Sequence, residues 1–144
     1  MRSLHVVIFL LLIVCCSSAL AQSLHNEEEA RILAQSVMEE VAAGRVVKGL
    51  ERLRPYNVYP KQEFDAMLAK TQEQLPAMDE RFGPSIGWDF VTVEKVGETL
   101  RQFVYLQKFE RHVMVWRFIF YRPRDLWMLN TFYFDDRVQL LFVY

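Results

Sequence analysis

The chain has 144 residues, with 17 Lys or Arg against 18 Asp or Glu and a formal net charge of −1. That length accommodates one domain with a real core and is too short for two. The lack of a basic excess argues against nucleic acid or an anionic membrane surface as a partner.

Arg2, the apolar stretch Val6 to Val14 and the small-residue exit Ala19-Leu20-Ala21 have the layout of a secretory signal cut before Gln22. The apolar stretch is too short to span a bilayer. Cys15 and Cys16 follow Ile13 and Val14 rather than the small residues of a lipid-attachment site, so soluble export is expected. Both cysteines leave with the signal, and the mature chain then has no thiol for a disulfide, a nucleophile or a soft metal site. The expected organisation is a signal over 1–21 and a single α+β domain over 22–144, located in the periplasm or outside the cell. No membrane association is expected after cleavage.

From Asn26, residues Ala30, Leu33, Ala34, Val37, Met38 and Val41 recur at helical spacing, with Asn26 a cap, Glu27 to Glu29 at the positive end and Gly44 a stop. His25 falls before this, in a stretch expected to be disordered. A short second helix, Val46 to Leu53, should end before Arg54-Pro55. Pro60 suits the first turn of a third, on which Phe64, Met67, Leu68, Thr71, Leu75, Met78 and Phe82 keep the period and Pro76 should kink or divide it. Gly83-Pro84 punctuates the change to strands.

After Gly87 the period becomes two. Strands are expected near Trp88 to Val96, Thr99 to Phe109, His112 to Arg122 and Leu126 to Phe134, with a short fifth near Val138 to Phe142. Helices over about 26–82 followed by a meander over about 87–143 mean an α+β domain: N-terminal helices on a curved, cone-like antiparallel sheet of four to five strands. Eleven of the twenty aromatic residues lie between Leu100 and Phe134, which suggests a sheet too apolar to leave either face bare in water.

Short turns fix strand parity. Pairing about Gly97-Glu98 sets Glu94 opposite Arg101, Thr92 opposite Phe103 and Phe90 opposite Tyr105. Pairing about Glu110-Arg111 sets Phe103 opposite Phe118 and Tyr105 opposite Trp116, and the next turn sets Trp116 opposite Tyr133 and Phe120 opposite Leu129. One face is then strongly aromatic and covered by helices. The other carries Val91, Val93, Val104, Leu106, Val115, Ile119, Tyr121, Met128, Phe132 and Phe134, with Gln102, Arg117 and Asn130 among them. A sheet with one face in water alternates apolar and polar positions, and these strands do not. The second face therefore needs cover, from a curled sheet forming a pocket, a second subunit or a partner.

The chemistry-bearing residues are few. His112 stands at a hairpin end, and one histidine without several carboxylates at ligand spacing does not make a zinc site. Asp135 and Asp136 lack the alternating pattern of a calcium loop and read as a turn. The acid triplet Glu27 to Glu29 reads as a solvated helix start, and Met67 and Met78 read as core filler. No phosphate loop, GxSxG elbow or cysteine–histidine arrangement is present. Arg117 stands out because its face is apolar: it needs a carboxylate such as Asp89, backbone oxygens or an anionic ligand.

Val104 to Glu110, Trp116 to Pro123, Trp127 to Phe132 and Phe134-Asp135-Asp136 resemble small exported bacterial proteins of unknown function in the nuclear transport factor 2-like, cystatin-like superfamily. The resemblance covers the strand half; the helices agree in number and order only. It implies a cone of helices against a curved antiparallel sheet, often dimeric. Some members are isomerases, cyclases or dehydratases using a pocket aspartate with tyrosine or histidine. Asp89, Tyr105 and Tyr121 have that chemistry without a matching motif.

The function read from these residues is a non-catalytic exported domain that binds or self-associates through Val104, Val115, Arg117, Ile119, Tyr121, Asn130, Phe132 and Phe134. Its expected partners are a second copy, an envelope protein, or a small apolar or anionic ligand; no cofactor or metal is expected. The alternative is a small-molecule pocket enzyme doing acid–base chemistry.

Overall fold

Asn26 starts the first helix because its side chain satisfies a backbone donor that a helix start leaves free. Its Oδ1 accepts the Glu29 amide at 2.8 Å, and the Glu29 carboxylate in turn accepts the His25 amide at 2.7 Å. In the computed structural model, which describes residues 21–142, this helix is α1, Glu27–Ala42. The expected signal lies outside the described residues except for Ala21, as do Cys15 and Cys16. The expected apolar stripe is the buried one: Ala30, Leu33, Ala34, Val37, Met38 and Val41 all face the core. Gly44, at φ 77°, then allows the reversal into α2, Val46–Glu51.

The segment before α1 is not disordered. Leu24 forms an antiparallel bridge with Trp127, each amide donating to the other's carbonyl at 2.8 Å, and Leu24 is buried. The apolar Leu24 side chain supplies the cover that makes this pairing worthwhile.

A 3-10 turn, Arg54–Tyr56, leads to α3, Lys61–Phe82, with Pro60 at its cap rather than within its first turn. α3 runs undivided through Pro76. Only Phe64, Leu68, Thr71 and Phe82 are buried on it, with Met67, Leu75 and Met78 partly buried against the core between them. Gly83, at φ 80°, ends it, and the Arg111 guanidinium donates to the free carbonyls of Glu80 and Arg81.

Four strands follow: β1 Ser85–Val96, β2 Leu100–Phe109, β3 Val113–Tyr121 and β4 Met128–Asp135. They form one antiparallel sheet in the order β1-β2-β3-β4, curved and not closed, so the molecule is an α+β domain of helices on a curved sheet. The fifth strand is not formed: Val138–Phe142 is a 3-10 turn lying against β3. Asp135 causes this. Its carboxylate accepts both the Arg137 amide, at 2.9 Å, and the Arg137 guanidinium, at 2.8 Å, which turns the chain out of the plane of the sheet.

The β2–β3 register is as expected, with Phe103 opposite Phe118 and Tyr105 opposite Trp116. The other two pairings are irregular, β1–β2 at Ile86 and Val91 and β3–β4 at Asn130. The β1–β2 loop is three residues, Gly97-Glu98-Thr99, so Val96 faces Leu100 and Glu94 faces Gln102 instead of Arg101; Thr92 likewise faces Val104 instead of Phe103. A bulge at Val91 then restores Phe90 opposite Tyr105. On the far side Phe120 faces Leu129 as expected, but a bulge at Asn130 sets Trp116 opposite Phe134 instead of Tyr133.

The bulges change which side chains are inside. Phe132 and Phe134, expected on the second face, lie on the helix-covered face: Phe134 stacks on Trp116 with ring centres 4.2 Å apart, and Phe132 meets Phe64 of α3 edge-on. Val93 also packs against the core. Tyr133 and Thr92 take positions on the open face in their place. The core is thus more aromatic, and the open face more polar, than strict alternation implies. Arg101 is on the helix side as expected but faces Lys95 instead of Glu94; it donates to Glu27 at 2.8 Å and, together with Lys95, ties the start of α1 to the β1–β2 hairpin.

Candidate functional site

The open face is built from alternate residues of all four strands. Its centre is Val104 on β2 with Val115, Arg117 and Ile119 on β3; Tyr133 on β4 pairs with Arg117, and Tyr121 with Met128 lies toward one end. Val104 and Val115 are buried although the helices pack on the opposite side. The turn Val138–Phe142, resting against β3, is the element placed to shield them. Of the expected face residues, Val104, Val115, Arg117, Ile119 and Tyr121 are brought together. Asn130 is the unpaired residue of the bulge and is exposed, and Phe132 and Phe134 are turned into the core.

Arg117 is 7% exposed. Its guanidinium lies over the Tyr133 ring at 5.5 Å, and its Nη1 is 3.7 Å from the Asp135 carboxylate. That distance is beyond a hydrogen bond, and Nη1 is buried without an acceptor. Asp135 is committed elsewhere: Arg137 holds its carboxyl below the ordinary range. Asp89, weighed as the partner of Arg117, is instead paired with Lys108 at 2.9 Å. Glu94 accepts from Gln102. The face therefore carries Asp89, Glu94 and Asp135 against Lys108, Arg117 and Arg137, in balance. A small hollow of about 140 Å³ near the β1–β2 hairpin is lined by Glu94, Val96, Leu100, Gln102 and Ile119 among others.

The acid–base candidates do not converge. Asp89 is on the open face; Tyr105 is on the helix side, 1% exposed, its hydroxyl donating to the Arg31 carbonyl at 3.4 Å. Burial pushes the Tyr105 phenol up to about 12, so it keeps its proton at neutral pH. Tyr121 is at the exposed end of β3. His112 packs against Phe82 with ring centres 4.5 Å apart, its Nε2 3.7 Å from Asp136. Among the described residues no group of three His, Cys, Asp or Glu is placed to hold a metal, and no helix is long and apolar enough to cross a membrane.

A second concavity was not visible in the sequence. A groove of about 450 Å³ lies between the α1–α2 turn, the second half of α3 and the beginnings of the sheet, and Gln107 and Ser85 are in its lining. Another of about 450 Å³ lies on the far flank of Met78, under Arg81 and beside Met114 and Phe134. The one sequence signal that could have found the first is Gln107, a polar residue at a helix-facing position of β2.

No family model matches the chain, nor does any curated protein or solved structure.

Proposed function

We propose that this protein is a non-catalytic, exported binding domain that associates with a second copy of itself through the open sheet face. The observation that carries the reading is the apolar side chains left in water along that face and its border: Val96 is 66% and Phe142 70% exposed, and Tyr121, Tyr133 and Leu140 are also exposed. A two-fold interface requires a surface complementary to itself. Acids and bases in balance around an apolar centre meet that requirement, because each copy can set its Lys108 and Arg137 against acids of the other. The resemblance of the strand half to nuclear transport factor 2-like proteins, which often form dimers, supports the same reading.

Sedimentation velocity across a dilution series of the mature chain tests it. A concentration-dependent dimer is expected, and Tyr121→Asp, at an exposed site, is expected to give a folded monomer because it places a charge in the desolvated patch. A wild-type chain that stays monomeric at high micromolar concentration, or a variant that dimerises equally well, would remove this function.

A further inference from the structure

The charges of the open face pair off within the chain and leave one acid and one base over. Lys108 holds Asp89 at 2.9 Å, and Arg137 holds Asp135 at 2.8 Å. Glu94, exposed on the same face, forms no salt bridge among the described residues. Arg117 approaches only the Asp135 carboxylate, at 3.7 Å, through the oxygen that Arg137 already occupies, and its Nη1 is buried without an acceptor. A guanidinium that is 7% exposed and lacks a hydrogen-bonded acid is costly unless something outside the chain completes it.

Glu94 and Arg117 do not meet each other within the chain. Glu94 stands opposite Gln102, which stands opposite Ile119, two residues along β3 from Arg117. Two strand spacings across and two residues along separate their backbones by about 12 Å. The interval between them is built from hydrogen bonds. Glu94 Oε2 accepts from Gln102 Nε2, Gln102 Oε1 accepts from the Tyr133 hydroxyl at 3.4 Å, and the Tyr133 ring carries the Arg117 guanidinium at 5.5 Å. Gln102 and Tyr133 thus set the spacing between a carboxylate without a cation and a guanidinium without a hydrogen-bonded acid, on one surface.

We infer that Arg117 of each copy takes the Glu94 carboxylate of the other, giving two identical ion pairs about a two-fold axis; the inference rests on self-association through the open face. A two-fold interface brings one residue to a second on the other copy and the second to the first, so one leftover acid and one leftover base per chain satisfy each other completely. Sedimentation equilibrium of the mature chain and its variants tests the pairing. The dissociation constant should rise about tenfold in Glu94→Gln, at an exposed position, and by a similar factor in Arg117→Met, which keeps most of the side-chain bulk. The double variant should be no weaker than either single one, because each breaks the same contacts. Added salt should weaken the wild type more than Glu94→Gln. If near-ultraviolet circular dichroism shows Arg117→Met to be unfolded, Glu94→Gln and its salt dependence decide alone. A Glu94→Gln dimer as tight as the wild type, or losses that multiply in the double variant, would overturn the pairing and leave the open-face dimer standing. A wild type that stays monomeric would remove the dimer and the pairing together.

Discussion

Trp116 concentrates the packing of this fold in one side chain. It is fully buried, stacked on Phe118 and Phe134, and its indole nitrogen is satisfied by Gln107. Trp116→Ala should therefore destabilise by about 3–5 kcal/mol in urea unfolding, from lost burial, the cavity left behind and the orphaned Gln107 oxygen; a cost below about 1 kcal/mol would place it outside the core. Glu40 is the matching electrostatic case. Hydrogen bonds from Arg52 and Arg45, with help from Lys48, pull its carboxyl down to about 2 from an ordinary 4.5. A carboxyl whose pKa is lower folded than unfolded contributes fully above the unfolded value and loses that contribution as pH falls through the folded one. Stability supplied by Glu40 should fade between about pH 4.5 and about pH 2, and Glu40→Gln should flatten that part of the thermal stability profile. Unchanged acid sensitivity in the variant would show that the three cations gain nothing from it.

At the scale of elements, helices were readable because their signals are local. Asn26, the stripe from Ala30 to Val41 and Gly44 mark α1 almost to the residue. The strands were readable as strands for the same reason, and β2 against β3 had the right register because its turn is tight. What could not be read were the three bulges, at Ile86, Val91 and Asn130, and the third loop residue Thr99. A bulge is decided by how twist and side-chain volume fit across the sheet, with no dedicated residue type to announce it. Its consequence is large, since one inserted residue exchanges the faces of Phe132, Tyr133 and Phe134. The fifth strand failed for a local reason that was present in the chain, the Asp135–Arg137 turn. α3 differs again: it is long, little buried and contains Pro76, which has no amide to offer the Gln72 carbonyl. Pro76→Ala, at an exposed position, is expected to raise the melting temperature by restoring that hydrogen bond without touching the core; a lowered melting temperature would mean that Pro76 itself is needed for the packing of α3.

For the whole molecule, the central claim is that the sheet has two working faces. One is closed by α1, α2 and α3 over the aromatic core, and the other, covered in part by the C-terminal turn, is the one we propose to meet a second copy. The second face was legible in part: the failure of β2 and β3 to alternate pointed to Val104, Val115, Ile119 and Arg117, which do lie together. Its border, made by Tyr133 and by Leu140 and Phe142 of the C-terminal turn, was not, because it depends on a bulge and a chain reversal. Methyl-resolved NMR of the wild-type chain over a dilution series tests this claim most directly. The methyls of Val104, Val115, Ile119 and Leu140 should shift together with a single concentration dependence, while those of Leu50, Leu53 and Leu68 under the helices stay fixed. Concentration-independent spectra, or shifts confined to the helix side, would contradict it.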